Sequence, residues 1–303
     1  MSTSTSWRCS NGRGDDELEK NEIPVPPPLP VTVDPLPPKP SKPGSWHDPS
    51  CASHGICPRT DFPEPPLLVL SFDGFANEYV KRRIVKNLER IAECGATAQH
   101  VFPSYPTKTF PNHYSIMTGL FPESHGVVDN SVYDPSIADV FENLKTTKDN
   151  RYFQGEPLWT SVTRQTKKRV ACLYWVGCNY NASGFVSDEE FNPVFNDSVT
   201  SVEKVKKILT LLSLPEDKRP ALIAGYFNEP DHTGHRQMHS DEVMNNVLRT
   251  QVDDVLELLL NALRLNGMLE CVNIVILSDH ATVGYLYRTE SVKPIVRRIV
   301  ADA

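Results

Sequence analysis

The sequence predicts an α/β fold, a largely parallel β-sheet with helices on both faces, and three observations lead there. From Leu67 onward, short apolar runs alternate with longer amphipathic stretches. The runs are short and largely β-branched, so they read as strands buried on both sides. The order is strand, then helix, repeated, as the crossovers of a parallel sheet require.

The first strand is Leu67–Phe72, and Glu78–Glu93 follows as a helix with apolar residues three and four apart. A helix is expected to start near Pro111, because the fixed φ of proline suits the first helical position. Val170–Trp175 is the second strand, Val199–Ser213 a helix, Ala221–Phe227 the third strand, Ser240–Leu265 a helix and Val272–Leu277 the fourth strand. Residues 1–66 differ sharply. Proline dominates between Ile23 and Pro43, which favours extended polyproline II and prevents a packed core. The expected organisation is a proline-rich, largely disordered segment at 1–66 and an α/β domain at 67–303. The proline segment reads as a semi-rigid spacer that could also dock an SH3 or WW domain.

The net charge of −7 and the absence of a basic run argue against nucleic acid as the main partner. No stretch reaches the ~18 uninterrupted apolar residues of a membrane span. The N-terminus, Met-Ser-Thr-Ser-Thr-Ser-Trp, lacks the pattern of a signal peptide. Among seven cysteines, Cys51 with Cys57 and Cys172 with Cys178 are spaced for local disulfides in an oxidising compartment. Cys94 and Cys271, beside apolar residues, read as buried thiols. Asn181-Ala-Ser and Asn196-Asp-Ser are glycosylation sequons, meaningful only in a secreted chain.

Open α/β sheets place their sites at the carboxyl ends of the strands. Three carboxylates fall there: Asp73 ends the first strand, Asp231 follows the third and Asp279 ends the fourth. His235 lies four residues after Asp231, on the same side of a helical turn, and His280 is next to Asp279. With Thr109 these supply a hydroxyl, three carboxylates and two imidazoles, a ligand set for two zinc ions beside a threonine. A threonine hydroxyl is a nucleophile near neutral pH only if its alkoxide is stabilised, which a bound divalent cation does. Thr109 just precedes the helix near Pro111, and a helix start favours an anionic phosphate. Asn130 carries an amide that can hold a phosphoryl oxygen.

The run YPTKTFPNHYSIMTGLFPESHGVVDN (105–130) closely resembles the ectonucleotide pyrophosphatase/phosphodiesterase family of the alkaline phosphatase superfamily. The resemblance continues through LSFDGF (70–75), GEPLW (155–159), YFNEPDHTGH (226–235) and NIVILSDH (273–280), covering roughly 67–281. It implies an alkaline-phosphatase-like fold, a location outside the cell or at its surface, and two zinc ions. Asp73, Thr109, Asp279 and His280 match the ligands of one zinc, with Thr109 as nucleophile. Asp231 and His235 match two of three ligands of the second. Asn130 matches the residue that cradles a phosphate oxygen together with the Thr109 amide. Phe110, Phe195 and Tyr226 match positions that hold a nucleotide base or another leaving group. The implied reaction is hydrolysis of nucleotide pyrophosphate or phosphodiester bonds through a phospho-threonine, releasing a nucleoside monophosphate. Relatives acting on choline phosphodiesters share the metal core.

Three departures stand out. The third ligand of the second zinc is a histidine downstream of the Asp-His pair, yet all nine histidines lie at or before His280. Ala281 stands where glycine is usual, and Val176 replaces a proline. The expectation is therefore a catalytic domain incomplete at its C-terminus, with an incomplete second zinc site. It is either an active phosphodiesterase or a weakly active or inactive relative that binds metal or phosphate.

Overall fold

The structure is a computed structural model that describes residues 57–147, 149–180, 185, 190–237, 240–282 and 295–297. The proline-rich run, the sequon at Asn181 and the pairing of Cys51 lie outside them. In chain order the elements begin with β1 (Leu67–Phe72), α1 (Asn77–Lys81), α2 (Lys86–Cys94), β2 (Ala96–Thr97), α3 (Thr109–Thr118) and α4 (Pro122–His125). Then come β3 (Ser131–Val132), β4 (Glu142–Asn143), α5 (Leu158–Thr166), β5 (Val170–Leu173), α6 (Ser201–Leu212) and β6 (Leu222–Phe227). The last are α7 (Asp231–Gln237), α8 (Asp241–Val247), α9 (Asp254–Leu265), β7 (Asn273–Leu277) and β8 (Ile295–Arg297).

The main sheet has the order β2-β8-β7-β1-β6-β5. Its four strands β7, β1, β6 and β5 run parallel, while β8 is antiparallel to both β7 and β2. Both faces are covered, as the apolar strands require. Leu68, Leu70 and Phe72 of β1 point into one core with Ile208 of α6 and Leu259 of α9. Val69 points into the other with Tyr114 of α3 and Trp159 of α5. This period of two is the strand alternation expressed as packing. Each such large side chain contributes roughly 1.5–3 kcal/mol when fully buried.

The expected strands and helices appear, with two instructive differences. Glu78–Glu93 is not one helix. It breaks into α1 and α2 around Arg83, whose φ is +56°. The carboxylate of Asp253 accepts the Asn87 backbone N–H at 2.7 Å, giving α2 its own start. Ser240–Leu265 is helical throughout, with a π-helical segment Leu248–Asp253 between α8 and α9. Thr200 and Glu203 form a reciprocal capping box that starts α6 at Ser201.

The cysteines correct the local expectation for Cys57. Cys172 bonds Cys178 as expected, but Cys57 bonds Cys271 across 214 residues of sequence. Cys94 is disulfide-bonded too, so neither it nor Cys271 is a free thiol. The long pairing follows from packing. Phe62 is buried against the Arg219 guanidinium, 3.6 Å from its ring centre, and Arg59 donates to the Asn266 carbonyl. These contacts draw residues 57–62 to the end of the sheet where Cys271 lies.

Candidate active site

Strands β1, β6 and β7 are adjacent and in register, with Phe72 opposite Phe227 and Ser71 opposite Leu277. The residues that leave their carboxyl ends are therefore neighbours. The Asp73 N–H donates to the Phe227 carbonyl (2.9 Å), and the Asp231 N–H donates to the Asp73 carbonyl (3.0 Å). The Gly74 N–H donates to Asp279 Oδ1 (3.2 Å). Gly74 has φ +69°, and a Cβ there would strike the Thr282 hydroxyl and the Asp231 side chain, so the turn requires glycine. The start of α3 faces these strand ends, with Thr109 as its first residue.

Asp73, Asp279 and His280 form a buried cluster, the one group of three metal-ligating side chains among the described residues. His280 Nε2 lies 3.1 Å from Asp279 Oδ2, 3.4 Å from Asp73 Oδ1 and 3.3 Å from Thr109 Oγ1. Asp73 Oδ1 and Asp279 Oδ2 are buried with no hydrogen-bond partner. Two such oxygens beside an imidazole suit a divalent cation, because an unpaired buried carboxylate is costly. The electrostatics agree. Burial, then the Asp279 and Asp231 charges, push the Asp73 carboxyl well above its ordinary range, against a hydrogen bond from Tyr226. Burial also raises Asp279, but the neighbouring His113 and His280 hold it below that range. One carboxyl thus tends to keep a proton that a cation would replace.

Asp231 and His235 lie one turn apart on α7, with His235 Nε2 3.0 Å from Asp231 Oδ2. The other oxygen, Asp231 Oδ1, accepts the Thr282 hydroxyl at 2.6 Å. The His235 side chain is 74% exposed. This pair therefore has no orphaned oxygen.

A cavity of about 250 Å³ opens beside both clusters, lined by Asp73, Thr109, Asn130, Asp231 and His235 together with an aromatic wall. Asn130 Oδ1 accepts the Phe110 backbone N–H (2.9 Å), which leaves its NH₂ as the free donor. Phe110, Phe195 and Tyr226 belong to that wall. Phe195 meets Tyr226 edge to face at 5.8 Å and carries the Lys145 ammonium 4.6 Å above its ring. The Tyr226 hydroxyl donates to Asp73 Oδ2 at 2.6 Å, so Tyr226 serves the carboxylate as well as the wall. Asp279 and His280 are not among the lining residues; they lie behind Asp73.

Sequence reasoning missed several groups here. His113 is fully buried against Thr109, Ser71 and Asp279, and its position one helical turn after Thr109 was the available signal. Lys204 is buried, 2% exposed, behind the wall, donating to the Tyr226 carbonyl and lying within 6 Å of the Tyr174, Phe195, Tyr226 and Phe227 ring centres. Its place on the apolar stripe Lys204, Val205, Ile208 of α6 was the clue. Burial lowers its pKa to about 8, against the charge of Asp197.

Residues 67–292 match the family described as type I phosphodiesterase / nucleotide pyrophosphatase. The chain belongs to that family. An ectonucleotide pyrophosphatase/phosphodiesterase of Caenorhabditis elegans is 47% identical over 230 residues, 76% of this chain and 27% of the relative. A second from the same organism is 45% identical over 230 residues, 30% of its length. Family member 1 of Homo sapiens is 36% identical over 242 residues, 78% of this chain and 26% of the relative. The chain thus spans less than a third of the curated relatives it matches. The relatives are named as ectoenzymes; among the described residues of this chain, no helix is long and apolar enough to cross a membrane.

Proposed function

We propose that residues 67–303 belong to a catalytic domain, preceded by a proline-rich spacer, and that it hydrolyses nucleotide pyrophosphate or phosphodiester bonds with Thr109 as nucleophile. The observation that carries this is the pair of orphaned carboxylate oxygens, on Asp73 and Asp279, gathered with His280, whose Nε2 lies 3.3 Å from the Thr109 hydroxyl at the start of α3. Asp73, Asp279, His280 and Thr109 would hold one zinc, and Asp231 with His235 a second, weaker one. Bound zinc supplies positive charge that favours the Thr109 alkoxide and the departing oxygen. The backbone N–H groups at the start of α3 and the Asn130 amide orient the phosphoryl oxygens. Thr109 Oγ1 bonds to phosphorus as the leaving oxygen departs on the opposite side and the hydroxyl proton is lost. Water then cleaves the phospho-threonine diester, freeing Thr109 and a nucleoside monophosphate. Phe110, Phe195 and Tyr226 give the base a flat apolar seat. Family membership and the disulfides favour action outside the cell or at its surface.

A second reading has its own observation. Because the Thr282 hydroxyl already occupies one oxygen of Asp231 and the His235 imidazole lies 3.0 Å from the other, the chain on this reading binds one zinc and a phosphate group with little turnover. Purified chain assayed on the p-nitrophenyl ester of a nucleoside monophosphate, with zinc measured in parallel, decides between them. Turnover lost in Thr109→Ala supports the enzyme. No turnover in the unmutated chain leaves the second reading if zinc is bound, and neither if it is not.

A further inference from the structure

We propose that His113 is the positioning residue that sets Thr109 and Asp279 in place, an inference that rests on the phosphodiesterase reading of their roles. Its ring is fully buried and touches three elements at once. Nδ1 lies 2.8 Å from the Thr109 carbonyl oxygen on α3 and 3.3 Å from Asp279 Oδ2, just beyond β7. Nε2 lies 2.8 Å from Ser71 Oγ on β1, two residues before Asp73.

The hydrogen bonds fix which nitrogen carries the proton. A carbonyl only accepts, so Nδ1 is the donor to Thr109, and Ser71 completes the ring at Nε2. The ring plane is fixed as well. Trp175 and Tyr226 meet it edge to face, each with centres 5.1 Å away, and Trp175 Nε1–H donates to the His113 carbonyl at 3.1 Å. Turning the imidazole would therefore break its bonds to Thr109 and Ser71 and its two ring contacts.

The consequence concerns Asp279 Oδ2, a buried oxygen without a hydrogen-bond partner that lies 3.1 Å from His280 Nε2 and 3.3 Å from His113 Nδ1. The ring that bonds the nucleophile's own carbonyl thus also packs against that oxygen and fixes its place beside Asp73. Groups that orient a metal-binding carboxylate in this way commonly govern metal affinity as strongly as a ligand does. His113 so couples the register of α3 to the geometry of the metal cluster, without touching substrate.

A ring between two aromatic neighbours could instead be simple filling, and the two roles predict opposite orders of variants. Asparagine keeps an N–H donor near the place of Nδ1 but leaves a void; leucine fills the void and removes the donor. Zinc affinity measured by calorimetry on the full chain, with Tm recorded for each variant, reads the difference. His113→Asn is expected to stay within about threefold of the unmutated chain and His113→Leu to weaken zinc about 10–100-fold. On a p-nitrophenyl nucleotide ester, the same order is expected in kcat with KM little changed. His113→Leu binding zinc at least as well as His113→Asn overturns the proposal. If His113→Leu is not recovered folded, Ser71→Ala decides: it keeps the ring and removes its anchor, so weaker zinc binding supports the proposal and unchanged binding overturns it. The expected zinc order without turnover in the unmutated chain removes the phosphodiesterase reading alone. Turnover with no such order removes the His113 inference alone, and no zinc binding by the unmutated chain overturns both.

Discussion

The two halves of the candidate metal centre are built from the same residue types but stand in opposite electrostatic states. Around Asp73, Asp279 and His280, two carboxylate oxygens are buried without a hydrogen bond and one carboxyl is pushed toward its protonated form. At Asp231 and His235, one carboxylate oxygen accepts the Thr282 hydroxyl, the other lies 3.0 Å from an exposed imidazole, and neither is buried without a partner. The difference teaches that proximity of ligating atoms is not enough. A cation gains most where the protein leaves charge uncompensated, and least where it must displace bonds already made.

The largest effect expected from this contrast is between matched substitutions. Asp279→Asn should abolish tight zinc binding and lower turnover by about three orders of magnitude or more, consistent with a metal's share of a transition state. Asp231→Asn should leave the tight zinc in place, and equal losses of zinc in the two variants, measured after dialysis, would break the distinction. Next in size is the release of the second pair. Thr282→Val removes the hydroxyl that occupies Asp231 Oδ1 and should raise affinity for a second zinc by about tenfold, the scale of an outer hydrogen bond to a metal ligand. A titration with no added second-site binding would show that Thr282 does not compete.

Tyr226→Phe sharpens the contrast from the other side. It deletes the donor to Asp73 Oδ2 and leaves that carboxylate with no hydroxyl partner, so the fall in turnover should exceed the loss in zinc affinity. The smallest effect is a pH dependence from Lys204. Its folded pKa, about 8, lies below its ordinary 10.5, so between those values the unfolded chain holds more protons. Stability should rise with pH across that window and fall again as pH drops toward 8. Lys204→Met, followed by Tm against pH, should flatten the rise; an unchanged slope would assign it to other groups.

Much of this fold was legible because its signals are local. The run Leu67–Phe72 is apolar, bounded and buried, and the other parallel strands differ from expectation only at their ends. The break between α1 and α2 was not legible, since Asp253 caps α2 from 166 residues away. Cys57 likewise finds its partner through the packing of Phe62 and Arg219, not through spacing. In the site, chemistry-bearing residues at strand ends could be read in advance because parallel strands bring those ends together. His113 offered only its spacing one helical turn after Thr109, and Thr282 offered no signal, because its importance lies in the Asp231 oxygen it bonds.

One half of this centre is poised for a cation and the other is not. The most direct test is the number of zinc ions held by the unmutated chain after exhaustive dialysis, measured by atomic absorption with the protein concentration fixed by amino-acid analysis. One zinc per chain is expected, lost in Asp279→Asn and kept in Asp231→Asn. Two retained zinc ions, or a single zinc that survives Asp279→Asn, would contradict it.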